Sequence, residues 1–178
     1  MSSQISKDVY KETLLDSQHL MAAILEEDFF LDFLLDDEDE YRKDILIEDC
    51  VFRHNFGFNT GYFHGNITIR NCEICGILMF HGMFTYMPIT IEDCHVLGIS
   101  QFVSGGFFNG IRLRNNTFNN FADFGDQDIR GKAIFINNRF NGGTNLMHPS
   151  GSPNGAQFEQ PPYLEGNTGL ERYVRPED

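Results

Sequence analysis

Four cysteines are the first residues to test for chemistry. Cys72 and Cys75 are separated by two residues, and Cys50 and Cys94 flank them. Four thiolates can hold a tetrahedral zinc ion, with a CxxC pair supplying two of the ligands. Two short fragments, Phe63-His64-Gly65 and Phe80-His81-Gly82, offer imidazoles for proton transfer. Asp123, Asp126 and Asp128 offer oxygens to a hard cation, but without a liganding loop of known spacing they read as a solvated turn.

The elements that must carry these residues follow one rule. The chain reads Ile-Leu-Ile-Glu-Asp-Cys-Val-Phe from Ile45, Ile-Thr-Ile-Arg-Asn-Cys-Glu-Ile from Ile67 and Ile-Thr-Ile-Glu-Asp-Cys-His-Val from Ile89. It continues Ile-Arg-Leu-Arg-Asn-Asn-Thr-Phe from Ile111 and Ala-Ile-Phe-Ile-Asn-Asn-Arg-Phe from Ala133, five rows at a constant 22 residues. A fixed period of that length marks a stacked repeat. Apolar residues alternate within each row, so the repeat unit is a strand with one buried face. Aligned columns stack from row to row: Ile45, Ile67, Ile89, Ile111, Ala133; then Phe52, Ile74, Val96, Phe118, Phe140; then Phe58, Phe80, Phe102, Phe124, Leu146. His54, Gly76, Gly98, Asn120 and Gly142 form a column rich in residues that accept positive φ, and it reads as a corner. The expected fold is an all-β solenoid, a parallel β-helix of about five 22-residue coils.

The rows Ile67–Ile74 and Ile111–Phe118 resemble those of the right-handed, single-stranded parallel β-helix (pectin-lyase-like) superfamily, over about Asp44 to Leu146. In that family a polar residue just after a strand turns inward and stacks as a ladder. The matching column here is Cys50, Cys72, Cys94, Asn116 and Asn138. Pentapeptide-repeat proteins are a weaker resemblance, since they imply a shorter coil and a five-residue submotif. The active-site patterns of the pectin-lyase-like enzymes are missing: there is no Asp-Asp pair followed by Gly-His-Gly and Arg-x-Lys, and Lys132 is the single lysine of the coils. The resemblance implies a fold and no activity.

The period also absorbs most of the candidate chemistry. Three of the four cysteines share the inward ladder column, so they cannot converge on one zinc ion, and they read as buried small hydrophobes. Glu48, Arg70, Glu92 and Arg114 form an outward column of alternating sign, and Asp49, Asn71, Asp93, Asn115 and Asn137 a column of turn formers. No metal, cofactor or catalytic constellation is expected.

Two candidate sites remain. Residues 1–44 carry 13 acidic and 4 basic residues, a net −9 of the chain's −13. They read as an acidic helical cap: Ser17 as N-cap to a helix holding Leu20, Met21, Ile24 and Leu25, then Asp28 capping a second helix through Phe29, Phe30, Phe33 and Leu34. The run Asp36, Asp37, Glu38, Asp39, Glu40 separates this cap from the first coil. The second candidate lies on residues 45–146, the β-helix itself. If the column of Phe63 faces inward, its neighbours face out, presenting Tyr62, Phe84, His64, Tyr86 and Phe108, with Arg130 on the next coil. An exposed aromatic strip of this kind marks a binding site or a covered interface. The tail, residues 147–178, is loop and then an aperiodic end; Tyr163-Leu164-Glu165-Gly166-Asn167 reads as a degenerate sixth row, and the tail is the plainest cover for the strip.

Function is expected to be binding. With no basic stripe, direct nucleic-acid binding is excluded, and no apolar run reaches the length of a membrane span. The N-terminus lacks a signal-peptide pattern, so a cytoplasmic location is expected. The leading expectation is a non-enzymatic protein of immunity or inhibitor type whose acidic surface docks on a protein partner, a basic one being compatible. The alternative is a carbohydrate-binding or carbohydrate-active β-helix protein using the aromatic strip.

Overall fold

The structure is a computed structural model describing residues 6–148 and 155–170. Its strands are joined in parallel into four sheets running the length of the molecule. Each coil therefore has four sides. In the first full coil these are Ile45–Glu48, Val51–Phe52, Phe56–Phe58 and Gly61–Phe63. The same residues recur one coil later, with Ile47 beside Ile69, Phe52 beside Ile74, Phe58 beside Phe80 and Phe63 beside Thr85.

The period of 22 follows from these sides. Each turns a pair of residues inward: Ile45 and Ile47, Cys50 and Phe52, Phe56 and Phe58, Gly61 and Phe63, all buried. The step from one pair to the next alternates between five and six residues, as from Ile47 to Phe52 and from Phe52 to Phe58. Two sides thus keep the five-residue spacing of the pentapeptide alternative and two are longer by one. Twelve phenylalanines lie fully buried, so rings fill the axis. Phe58, Phe80, Phe102 and Phe124 stack in one line with centroids 5.3, 5.1 and 4.6 Å apart. Such pairs contribute roughly 0.5–1.5 kcal/mol each beyond their burial.

Positive φ falls at a different corner from the one the sequence suggests. Asp49, Asn71, Asp93, Asn115 and Asn137 all adopt φ between 51° and 56°, the left-handed region that Asn and Asp tolerate. Their side chains stack as well, Asn115 Nδ2 donating to Asp93 Oδ1 at 2.9 Å. The column of Gly76 and Gly98 bends without positive φ. Glycine is needed there because a Cβ on Gly98 would lie 2.1 Å from the Gly76 carbonyl oxygen.

Just after the left-handed corner the inward ladder is continuous. Asn116 Nδ2 donates to Ile91 O at 2.8 Å and to Asn138 Oδ1 at 3.0 Å. Asn138 repeats this with Leu113 O and Asn167 Oδ1, both at 2.9 Å. The cysteines keep the same geometry in weaker form: Cys94 Sγ lies 3.2 Å from Glu92 O and 3.8 Å from Ile69 O. Cys50's bond to Cys72, then burial, raise its thiol pKa. For Cys72 the bond to Cys50 favours the thiolate, but the bond to Cys94 and burial outweigh it and push the thiol up to about 12. All four cysteines are free.

The N-terminal region departs from the expected pair of helices. The one α-helix of the described residues is Lys7–Ser17, which ends where a helix was expected to begin; Gln18 closes it in the left-handed conformation, its N–H donating to Leu14 O at 2.9 Å. Leu14 alone of the helix is fully buried, against the end of the stack. After it the chain forms another coil. Leu20 pairs with Ile47, Leu25 with Phe52 and Phe29 with Phe56, an offset of 27 residues, whereas Glu40 pairs with Tyr62 at the regular 22. The spacing of Leu20, Met21, Ile24 and Leu25 suits a helix, but Leu20 and Leu25 face in while Met21 and Ile24 are exposed. Five extra residues enter between Phe29 and Glu40. The lengthened stretch holds the 3-10 turn Leu31–Leu34 and the acidic run. Asp28 caps no helix; its carboxylate accepts the Asn55 N–H at 3.0 Å.

At the other end the tail adds a row. Ala156–Phe158 pairs with Gln127–Ile129 on the fourth side, and Tyr163–Glu165 with Ile134–Ile136 on the first. No helix of the described residues is long and apolar enough to cross a membrane.

Candidate docking surface

The fourth side orders the aromatic strip. Its strands are Glu40–Tyr41, Gly61–Phe63, Met83–Thr85, Gly106–Phe107, Gln127–Ile129 and Ala156–Phe158 in spatial sequence. Tyr62, Phe84, Gly106 and Asp128 follow one another in an outward column. His64, Tyr86, Phe108 and Arg130 continue each strand by one outward position. The rings touch: Tyr62 on Phe84 with centroids 5.4 Å apart, and His64 on Tyr86 at 4.6 Å with planes 2° from parallel.

Both ladders converge on Phe108. Gly106 makes this possible, since a Cβ there would sit 2.4 Å from the Phe108 ring. Phe108 lies over the glycine and meets Phe84 at 5.9 Å and Tyr86 at 5.3 Å. Arg130 then closes the stack, its guanidinium 4.7 Å from the Phe108 centroid and held by Asp128 at 2.7 Å. Phe84 lies between Tyr62 and Phe108, His64 and Tyr86 each cover one face of the other, and Arg130 sits over Phe108. Tyr62 and Tyr86 are the most exposed rings of the strip, at 41 % and 42 %.

The tail does not cover this strip among the described residues. Its row 156–158 extends the sheet beyond Gln127–Ile129, at the far end from Tyr62.

The acidic run, expected to stand apart from the coils, belongs to the same surface. Glu40 is the strand partner of Tyr62, and its Oε2 lies 3.6 Å from His64 Nε2, beyond hydrogen-bond length. Arg42 pairs with both Glu40 and Asp36. Asp36 also accepts the backbone N–H groups of Glu40 at 2.9 Å and Glu38 at 3.0 Å, and the bond from Glu40 leads in holding its carboxyl below the usual range. Beneath them Tyr41 points inward; burial, then the Asp44 charge, raise its phenol above its ordinary value. Asp37, Glu38 and Asp39 are exposed, and their carboxylates make no ion pair among the described residues. The sequence separated the two candidate sites; the register joins them.

The other candidates stay apart. His81 is exposed on the third side, away from His64. Asp123 accepts the Gly125 N–H and the Asn145 amide, while Asp128 serves Arg130, so the aspartates do not converge. No cluster of His, Cys, Asp or Glu among the described residues is arranged to hold a metal ion. Of the outward charge column, Glu48 pairs with Arg70 and His19, while Glu92 and Arg114 make no ion pair among the described residues. Compared with known proteins, the chain matches no family model, no curated protein and no solved structure.

Proposed function

We propose that this protein is a non-enzymatic, cytoplasmic binding protein of immunity or inhibitor type, docking on a protein partner through the fourth side of its solenoid. One observation carries the reading. The pairing of Glu40 with Tyr62 makes a single surface from the acidic run and the aromatic strip. A rigid sheet with aromatic edges at its centre and charge at its rim resembles the apolar core and polar rim of protein interfaces. Tyrosines there offer contact area at little entropic cost. Pull-down from the source cells tests it. A stoichiometric, salt-sensitive partner lost on Tyr62→Ala plus Tyr86→Ala is the expected result, and absence of any such partner refutes it.

The carbohydrate reading is the weaker one on this geometry. Sugar platforms need free, flat ring faces, and here Phe84 lies between Tyr62 and Phe108, His64 and Tyr86 stack on each other, and Arg130 sits over Phe108. Glycan-array binding abolished by Tyr86→Ala or Phe108→Ala would reverse that ranking.

A further inference from the structure

Resting on that docking reading, we infer that the partner engages this surface with a linear segment carrying a cation cluster followed, about 14 Å further on, by an apolar side chain. The distance comes from the stack. Glu40, Tyr62, Phe84 and Gly106 occupy successive rows of one sheet, and three row steps of about 4.8 Å separate the acidic end from the Phe108 end. An extended chain covers that span in about four residues.

The charges fix the direction. At one end Asp37, Glu38 and Asp39 are exposed, and Asp39 is hydrogen-bonded into the surface by the Tyr62 N–H on its carbonyl at 2.9 Å. At the other end Arg130 is neutralised by Asp128 and spent on the Phe108 ring. The surplus charge on this face is therefore negative and greatest at the Glu40 end, where five carboxylates (residues 36–40) face the single cation Arg42. At the far end Asp126 and Glu159, which make no ion pair among the described residues, are the carboxylates beside the Asp128–Arg130 pair. Between the ends lie the stacked rings of the strip and two tyrosine hydroxyls without hydrogen-bond partners among the described residues. A cation docked on the acidic corner leaves the middle of the segment over Tyr62 and Tyr86 and its apolar group beside Phe108. A segment of reversed order would exchange the five-carboxylate corner for an end where the guanidinium of Arg130 stands between Asp128 and Glu159. Charges of one sign at one end of an interface set register and suppress the wrong orientation.

Fluorescence anisotropy with labelled peptides tests the inference. The probe carries Lys-Arg-Lys and, four residues later, Leu-Phe; its isomer has the same composition with the cations evenly spread. The full-length protein should bind the ordered peptide about tenfold more tightly than the isomer. Neutralising the corner (Asp37→Asn, Glu38→Gln, Asp39→Asn) and truncating the strip (Tyr62→Ala, Tyr86→Ala) should each weaken binding about tenfold. Arg112→Ala plus Arg114→Ala, on the first side, should not, and equal melting midpoints verify that each variant is folded. Equal affinity for the two peptides, or indifference to either fourth-side variant, overturns the inference. The partner captured from cells separates the two levels. If strip truncation releases it and corner neutralisation does not, the docking reading stands and this inference falls; if neither releases it, both fall.

Discussion

Removing the Asn116 side chain tests whether the coils are held by an inward ladder. Its amide donates to Ile91 O at 2.8 Å and to Asn138 Oδ1 at 3.0 Å, and its oxygen accepts the Cys94 N–H at 2.9 Å. In Asn116→Ala the Cys94 N–H loses its partner inside a column buried from water, while the Ile91 carbonyl, paired in the sheet ladder, loses only its second donor. The stranded N–H costs about 1–3 kcal/mol and the two lost amide donations about 0.5–1.5 kcal/mol each, so the variant should lose about 2–6 kcal/mol. At about 2–4 °C per kcal/mol for a chain of this size, the melting midpoint should fall by at least about 4 °C. Asn116→Cys installs the residue that rows one to three carry at this position. Its thiol can face Ile91 O as Cys94 faces Ile69 O at 3.8 Å, so about half the loss should return. Thermal and urea denaturation measure both variants. An Asn116→Ala protein within about 0.5 kcal/mol of the parent, the range of an ordinary surface substitution, would refute the ladder. Equal losses for Ala and Cys would refute the claim that thiol and amide are interchangeable in it.

Other expectations concern single sites. Gly106→Ala should push the Phe108 ring off its seat 2.4 Å away, releasing its contacts with Phe84, Tyr86 and Arg130; a net loss of about 1 kcal/mol and shifted ring resonances are expected by NMR, and unchanged shifts would contradict the packing. Gly98→Ala meets a backbone oxygen that cannot yield, and should cost about 3 kcal/mol or more in denaturant melts. In the native protein at mildly alkaline pH a thiol reagent should titrate Cys75 alone, since Cys50, Cys72 and Cys94 are buried and burial helps to raise the Cys50 and Cys72 thiols; all four should react after unfolding. Because the folded pKa of Asp36 is lowered, its contribution to stability is present above the ordinary carboxylate pKa and is lost as pH falls through the folded value. The stability gap between the parent and Asp36→Ala should therefore shrink on acidification below about pH 4, and a gap that widens would reverse the sign.

The coils from Ile45 to Leu146 were legible because their inward columns repeat at 22 residues without insertion and stay largely apolar, as at Ile47 and Ile69, Phe52 and Ile74, and Phe58 and Phe80. The sixth row at Tyr163 was legible for a related reason. Asn167 keeps the ladder signature, and its side chain bonds Asn138 despite an offset of 29 residues. The N-terminal coil was hidden by its offset of 27 and by two-residue strands whose spacing imitates a helix. Its signal was present: Leu20, Ala23, Leu25, Phe29 and Leu31 repeat the steps of Ile47, Cys50, Phe52, Phe56 and Phe58. The strip residues could be named from alternation alone, but not their closure on Phe108, which depends on the missing side chain of Gly106. Nor could alternation show that the acidic run shares their face, because that follows from a register set across a five-residue insertion.

The most direct test of the docking account is hydrogen exchange of the protein free and bound to its captured partner. Added protection should be confined to 36–41, 61–64, 83–86 and 106–108, the rows that carry the acidic corner and the strip. Protection concentrated instead on the helix Lys7–Ser17 or on the first side would place the interface elsewhere and contradict it.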